Sequence, residues 1–261
     1  ALIAGIMDAI DDTLGRPIKY EIPTINARYI REEYHNNTVP ISMMPWSGSV
    51  KMLGIPTYRS IMRTDLTLMF DAILFDRSLY NPLFNFMSTL YLMLPHAKKK
   101  GKKMAFFNVG AGPVNSDHGK KMLKELSEIM DFITVRDGAS YDILKGLDVQ
   151  NPRIITAADA AVNLIPSEDD EAKAIIQHLG IDPNDEILAI NVNRYIDTWA
   201  DDSNRDPMGV EKFTQVYAEA LDRVYEKIQK PILFVNTQHH DIEIAEKIMG
   251  KMRWGNSTMG E

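Results

Sequence analysis

Arg136, Asp137 and Ser140 are the residues of this chain whose types and spacing best suit chemistry on an anion. The planar fork of an arginine grips a carboxylate or phosphate through two parallel hydrogen bonds. A helix opening at Asp137 to Ser140 adds main-chain N–H donors beside it. The competing reading is a turn in which Arg136 and Asp137 do no more than cap that helix. Gly110 and Gly112 lie upstream, where glycines let a main chain approach a ligand closely or make the tight turn before a helix. Asp159 lies downstream and either orients Arg136 or caps a turn of its own.

A second constellation is Asn193 with Arg194 and, later, Gln238, His239, His240 and Asp241. Histidine titrates near neutral pH, so His239 and His240 are candidates for a proton donor or a substrate contact. Two adjacent histidines without a third ligand at a recognised spacing are a weak metal signal, and a structural loop is the remaining alternative. The Asp- and Asn-containing run 194–207 also lacks the spacing of a calcium loop. No metal site is expected.

The elements that must position these residues are legible as apolar runs. Met104 to Val109 predicts a strand closed by Gly110-Ala111-Gly112-Pro113, and Met122, Leu123, Leu126, Ile129 and Met130 follow at helical spacing. Phe132 to Val135 predicts a second strand, placing Arg136 at the carboxyl end of a parallel strand, where open α/β sheets hold ligands. A third strand is expected to end at Asp159. Asn193, Arg194 and the Gln238–His240 group end strands predicted over 187–193 and 231–235, a second ligand-facing edge. Helices are expected over 2–14, 81–96, 172–179 with Ser167 as cap, 210–230 and 242–249. The run 66–75 reads as a short helix or turn, broken at Asp71, feeding a strand at 72–75. Residues 23–63 read as short irregular elements, with Arg28, Arg31, Arg59 and Arg63 on the surface, and 254–261 as patternless.

Three of these stretches, N-V-G-A-G-P-V from Asn108, D-F-I-T-V-R-D-x-x-S-x-x-x-L from Asp131 and T-A-A-D-A-A from Thr156, together resemble the polysaccharide pyruvyl transferase family. The resemblance implies a GT-B-like α/β fold with two Rossmann-like domains, parallel sheets flanked by helices and an active-site cleft between them. It places the domains at 1–166, with its first strand missing, and 167–261, incomplete. It implies transfer of a pyruvyl ketal from phosphoenolpyruvate to a glycan or lipid-linked sugar, without a cofactor. Gly110, Gly112, Arg136, Asp137, Ser140, Asp159, Asn193, Arg194 and Gln238 are then substrate contacts, Asp159 on a sugar hydroxyl, and His239 and His240 the catalytic candidates. Ala160 stands where the family has proline, and Asp76-Arg77-Ser78 where it has a triple-glycine turn. The G-N-x-G-D-E loop that opens the family, and its later R-x-H motif, are not in this sequence. A nucleotide-sugar glycosyltransferase and a non-catalytic carbohydrate-binding member are the rival readings.

Composition bounds the rest. The 261 residues suffice for two modest cores, and 45% hydrophobic with 25% charged residues is a globular mixture. A net charge of −7 disfavours non-specific nucleic-acid partners. The lysine-rich run 98–103 reads as a solvated helix end. The absence of cysteine removes disulfides and thiolate chemistry and fits a reducing compartment. No apolar run reaches the roughly 18 residues of a membrane span. A cytoplasmic protein, peripheral to the membrane if its acceptor is lipid-linked, is expected, and a homo-oligomer is left open.

Overall fold

The structure is a computed structural model, and it describes residues 2–16, 18–24, 26–34, 37–42, 50–76, 86–150, 153–164, 166, 168–193, 209–237, 241–254 and 257–260. The chain divides into two compact units, Ala1–Ile165 and Pro166–Glu261.

The first unit opens with α1 (Leu2–Leu14), β1 (Tyr20–Thr24), α2 (Ala27–Glu33), β2 (Thr38–Ser42) and α3 (Val50–Arg63). β1 and β2 pair in parallel as a two-stranded sheet. The described residues of 23–63 are therefore mostly in regular elements, against expectation. Pro40 inside β2 and Pro56 inside α3 blur the pattern that would announce them, and a two-stranded sheet has only edges, where proline is tolerated. Glu21 fastens β1 to α3 through Arg63 Nη2 at 2.7 Å and the Ser60 hydroxyl at 2.6 Å.

The main sheet follows: β3 (Leu66–Leu74), α4 (Phe86–Lys99), β4 (Lys103–Ala111), α5 (Asp117–Glu128), β5 (Phe132–Val135), α6 (Gly138–Gly146) and β6 (Ile154–Thr156), with a 3-10 turn at Ala160–Asn163. The strands lie in the order β3-β4-β5-β6, all parallel. Parallel neighbours need crossover connections, which the helices supply. β4 is apolar almost throughout because both its faces are covered, and Phe106, Met104 and Val109 are fully buried. α4 contributes Met87, Leu90, Leu94 and Ala97 to this core, and α5 contributes Met122, Leu123 and Leu126. Ser116 caps α5, its hydroxyl oxygen accepting from Gly119 N at 3.0 Å.

β3 corrects two readings at once. It is one nine-residue strand rather than a turn feeding residues 72–75, and Asp71 does not end it. Asp71 instead adopts φ +73, with register shifts against β4 on either side. β6 likewise ends at Thr156, short of Asp159.

The lysine run is partly structural. Lys98 Nζ and Lys103 Nζ stand 3.1 and 3.3 Å from one oxygen of Asp131, whose other oxygen accepts from Met104 N at 2.8 Å. Lys102 Nζ donates to Thr64 O at 3.2 Å. Burial pushes the Asp131 carboxyl up, but the Met104 N–H and the two lysines outweigh it and hold it below the usual range. Arg63 likewise lowers Glu21. A carboxyl lowered by folding stabilises fully above its unfolded pKa, and that stability is lost as pH falls through the folded value. Thermal stability is thus expected to be level in these groups above about pH 5 and to fall below about pH 4. Asp131→Asn should melt earlier at pH 7 and show a shallower acid slope in the same scans.

The second unit holds α7 (Asp169–His178), β7 (Leu188–Ile190), α8 (Val210–Ile228), β8 (Ile232–Val235), α9 (Asp241–Met249) and β9 (Ser257–Gly260). β7, β8 and β9 form a parallel sheet whose core contains Phe234, Ile232, Leu221, Ile244 and Ile248. The tail read as patternless thus carries a strand, Ser257 to Gly260 pairing with Ile232 to Val235. Glu168, without a side-chain cap bond, takes the place expected of Ser167, which lies outside the described residues.

Candidate functional site

The carboxyl ends of β3 to β6 gather the chemistry of the first unit. Asp71, Val109, Val135 and Thr156 stand in one register row across the sheet. Gly110 lies inside β4, one residue past Val109, Arg136 directly follows β5, and Arg136 N donates to Val109 O at 3.1 Å.

Arg136 is held on three sides. Its Nη1 donates to Asp159 Oδ2 at 3.0 Å and lies 3.6 Å from Asp71 Oδ1, and its Nε lies 3.8 Å from Asp137 Oδ2. Only the first distance is that of a hydrogen bond; the others are ion pairs. The side chain is 29% exposed. Among the described residues the guanidinium makes one hydrogen bond out of the five donors that the group offers. Among the described residues one cation stands among three carboxylates, so a bound anion would depend on donors aimed directly at it.

Asp137 and Ser140 hold that cluster in place. Asp137 caps α6, its Oδ1 accepting from Ser140 N at 2.7 Å. The Ser140 N–H and hydroxyl, with Arg136 beside them, keep the Asp137 carboxyl below the usual range. Ser140 is 2% exposed, and its hydroxyl oxygen accepts from Ala111 N at 2.9 Å, joining the end of β4 to the start of α6. Asp159 fills two of the roles considered for it: one oxygen takes Arg136 and the other accepts from Ala161 N at 2.9 Å.

The two glycines divide their work. A Cβ at Gly110 would stand 3.0 Å from Arg136 Nε and Nη2, so the guanidinium lies against the main chain there. Gly112 has φ +94, and a Cβ on it would come within 2.7 Å of Ile143 Cδ1. Its N donates to Leu74 O at 2.7 Å, and a cis peptide bond joins it to Pro113. Asp76, which stands in place of a glycine turn, closes the loop: its Oδ2 accepts from Asn115 N, Ser116 N and Ser116 Oγ at 3.0, 2.7 and 2.7 Å. An internal carboxylate thus occupies the amino end of α5, the place where many α/β proteins seat a phosphate.

Two residues of this edge escaped sequence reasoning. Asp71 announced itself only as an acid inside an apolar run. Asn108, with φ +50 inside β4, exchanges bonds with Thr134: the hydroxyl accepts from Asn108 N and donates to Asn108 Oδ1, each at 2.7 Å. In the second unit Asn193 is exposed just beyond β7, while Arg194, Gln238, His239 and His240 lie outside the described residues. Among the described residues no group of three or more His, Cys, Asp and Glu is placed to hold a metal ion, and no helix is long and apolar enough to cross a membrane.

Solved structures with a similar fold include HepE from Anabaena in complex with UDP and glucose: 11% identity, 89% of this chain and 58% of that one covered, TM-score 0.51. HepE in complex with UDP matches at 11% identity over 89% and 57% of the two chains, TM-score 0.47. This chain therefore spans less than two thirds of HepE, and at that identity the likeness concerns the fold alone, a GT-B-like α/β chain with parallel sheets flanked by helices. None of the curated proteins is a match. The family described as polysaccharide pyruvyl transferase matches residues 6–254, Gly110, Arg136 and Asp159 included, and the chain belongs to that family.

Proposed function

We propose that the protein transfers a pyruvyl group from phosphoenolpyruvate to a pair of hydroxyls on a glycan or lipid-linked sugar, forming a ketal. The observation that carries this reading is the family match over residues 6–254. It is supported by an arginine fixed at the carboxyl edge of a parallel sheet with donors to spare.

The chemistry asks for few groups. A general acid protonates the methylene carbon of the donor, and positive charge develops at the neighbouring carbon. One sugar hydroxyl adds there and gives up its proton; phosphate then leaves, and the second hydroxyl adds with loss of its own proton. Arg136 would hold the donor carboxylate or phosphate through its remaining N–H groups, with Gly110 allowing it to lie flat. Asp159 would face an acceptor hydroxyl as a hydrogen-bond acceptor. His239 or His240 would supply the proton, with Asn193, Arg194 and Gln238 as further substrate contacts. No cofactor is needed.

Glycosyl transfer from a nucleotide sugar is the second reading, favoured by the fold shared with HepE, whose structures hold UDP and glucose. Thermal stabilisation separates the two. A ligand at a hundred times its Kd stabilises by about 2.7 kcal/mol, a shift of several degrees. Phosphoenolpyruvate is expected to give it and to release phosphate when a sugar acceptor is added. A shift with UDP-glucose or GDP-mannose alone would replace the proposal with glycosyl transfer.

A further inference from the structure

We infer that Asp71 is a positioning residue for Arg136, its carboxylate aimed at the guanidinium by a deliberate break in β3. The inference rests on the pyruvyl-transfer reading only for the substrate that Arg136 meets.

Four non-glycine residues have positive φ among the described residues: Asp71, Asn108, Asp148 and Gln229. Gln229 is the C-cap of α8 and Asp148 directly follows the C-cap of α6, where left-handed backbone is ordinary. Asn108 is tied down by Thr134. Asp71 sits inside β3 as Asn108 sits inside β4, between two register shifts: β4 carries the extra residue before the Asp71–Val109 pair and β3 the extra residue after it. A bulge of this kind re-aims a side chain and sits next to functional sites more often than elsewhere, and an outlier of backbone geometry is a reason to look for a function that requires it.

What it aims at is specific. Asp71 pairs with Val109, the residue before Gly110, and its Oδ1 lies 3.6 Å from Arg136 Nη1. The same nitrogen donates to Asp159. Nη1 is thus held between carboxylates from β3 and from the segment after β6, while Asp137 flanks Nε and Gly110 lies close to the Nε and Nη2 side of the group. Asp71 is the part of this cage contributed from the far side of β4. Without it the fork is steered by Asp159 and Asp137 alone, and the donors meant for a ligand lose their direction.

The test uses the full-length protein with Asp71→Gly and Asp71→Asn. Glycine accepts the left-handed backbone, so Asp71→Gly removes the carboxylate without backbone strain and should melt within a few degrees of the parent. Its KM for phosphoenolpyruvate is expected to rise roughly tenfold or more, as misdirected positioning groups do, with Asp71→Asn close behind. In an Arg136→Lys background Asp71→Gly should add almost nothing, because the two residues act as a unit. A second readout needs no substrate: the Arg136 Nε–H resonance, assigned as the one missing in Arg136→Lys, should exchange faster with solvent in Asp71→Gly. Unchanged KM and unchanged Nε–H exchange overturn the inference. If the parent does not turn over phosphoenolpyruvate yet the exchange still responds to Asp71, the positioning role stands and the pyruvyl-transfer reading falls.

Discussion

Replacing Arg136 with alanine is expected to lower the proposed pyruvyl transfer by roughly a thousandfold, the cost of removing a fixed donor to charge that develops in the transition state. The local charge enlarges the effect. Without the guanidinium, Asp71, Asp137 and Asp159 lose the cation they share, and their charge repels an anionic donor. Arg136→Lys separates charge from shape: it keeps a cation among the carboxylates but gives a point charge on a flexible stem where a planar fork lay against Gly110. A loss of about ten- to a hundredfold is expected for lysine, carried mostly by KM for the donor. Stability should change much less. The three carboxylates are 58%, 48% and 38% exposed, and ion pairs so open to water are worth about 1 kcal/mol or less each. Steady-state phosphate release alongside thermal melting measures both quantities, and near-parental turnover in Arg136→Ala would remove this arginine from the mechanism.

How much of that site the sequence discloses depends on whether a residue's role is decided locally. Phe132 to Val135 and the Asp137 cap are local: an apolar run ends, an acid follows, and a serine three places on donates back to it. Arg136 at a strand end follows from the same stretch. Asp71 is not local. An acid inside L-T-L-M-F-D-A-I-L-F signals a chain break as readily as a bulge, and only pairing with β4 decides between them. β9 is invisible for the same reason, since Ser257 to Gly260 has no apolar pattern and becomes a strand by lying against β8. Proline hid β2 and α3. Asp159 was open between orienting an arginine and capping a turn, and its two oxygens do one each.

Gly110 and Gly112 show the limit most sharply, because one motif gives them the same meaning and the structure gives them opposite expected phenotypes. Gly110 lies outside the left-handed region, so alanine is acceptable to the backbone there. Its new Cβ would press on the Arg136 guanidinium at 3.0 to 3.2 Å and shift it by a few tenths of an ångström. Gly110→Ala should therefore melt within a few degrees of the parent and lose roughly tenfold or more in turnover, since small misplacements of positioning groups are costly. Gly112→Ala should do the reverse. Its φ of +94 strains any side chain, at about 1–3 kcal/mol, and the clash with Ile143 Cδ1 at 2.7 Å adds an overpacking cost of about the same size. Ile143→Val removes the clashing methyl and leaves the backbone strain untouched. In denaturant melts the double variant Gly112→Ala/Ile143→Val should recover the steric part alone and remain about 1–3 kcal/mol below Ile143→Val. Full recovery would show that backbone strain at Gly112 costs nothing, and no recovery that Ile143 yields freely.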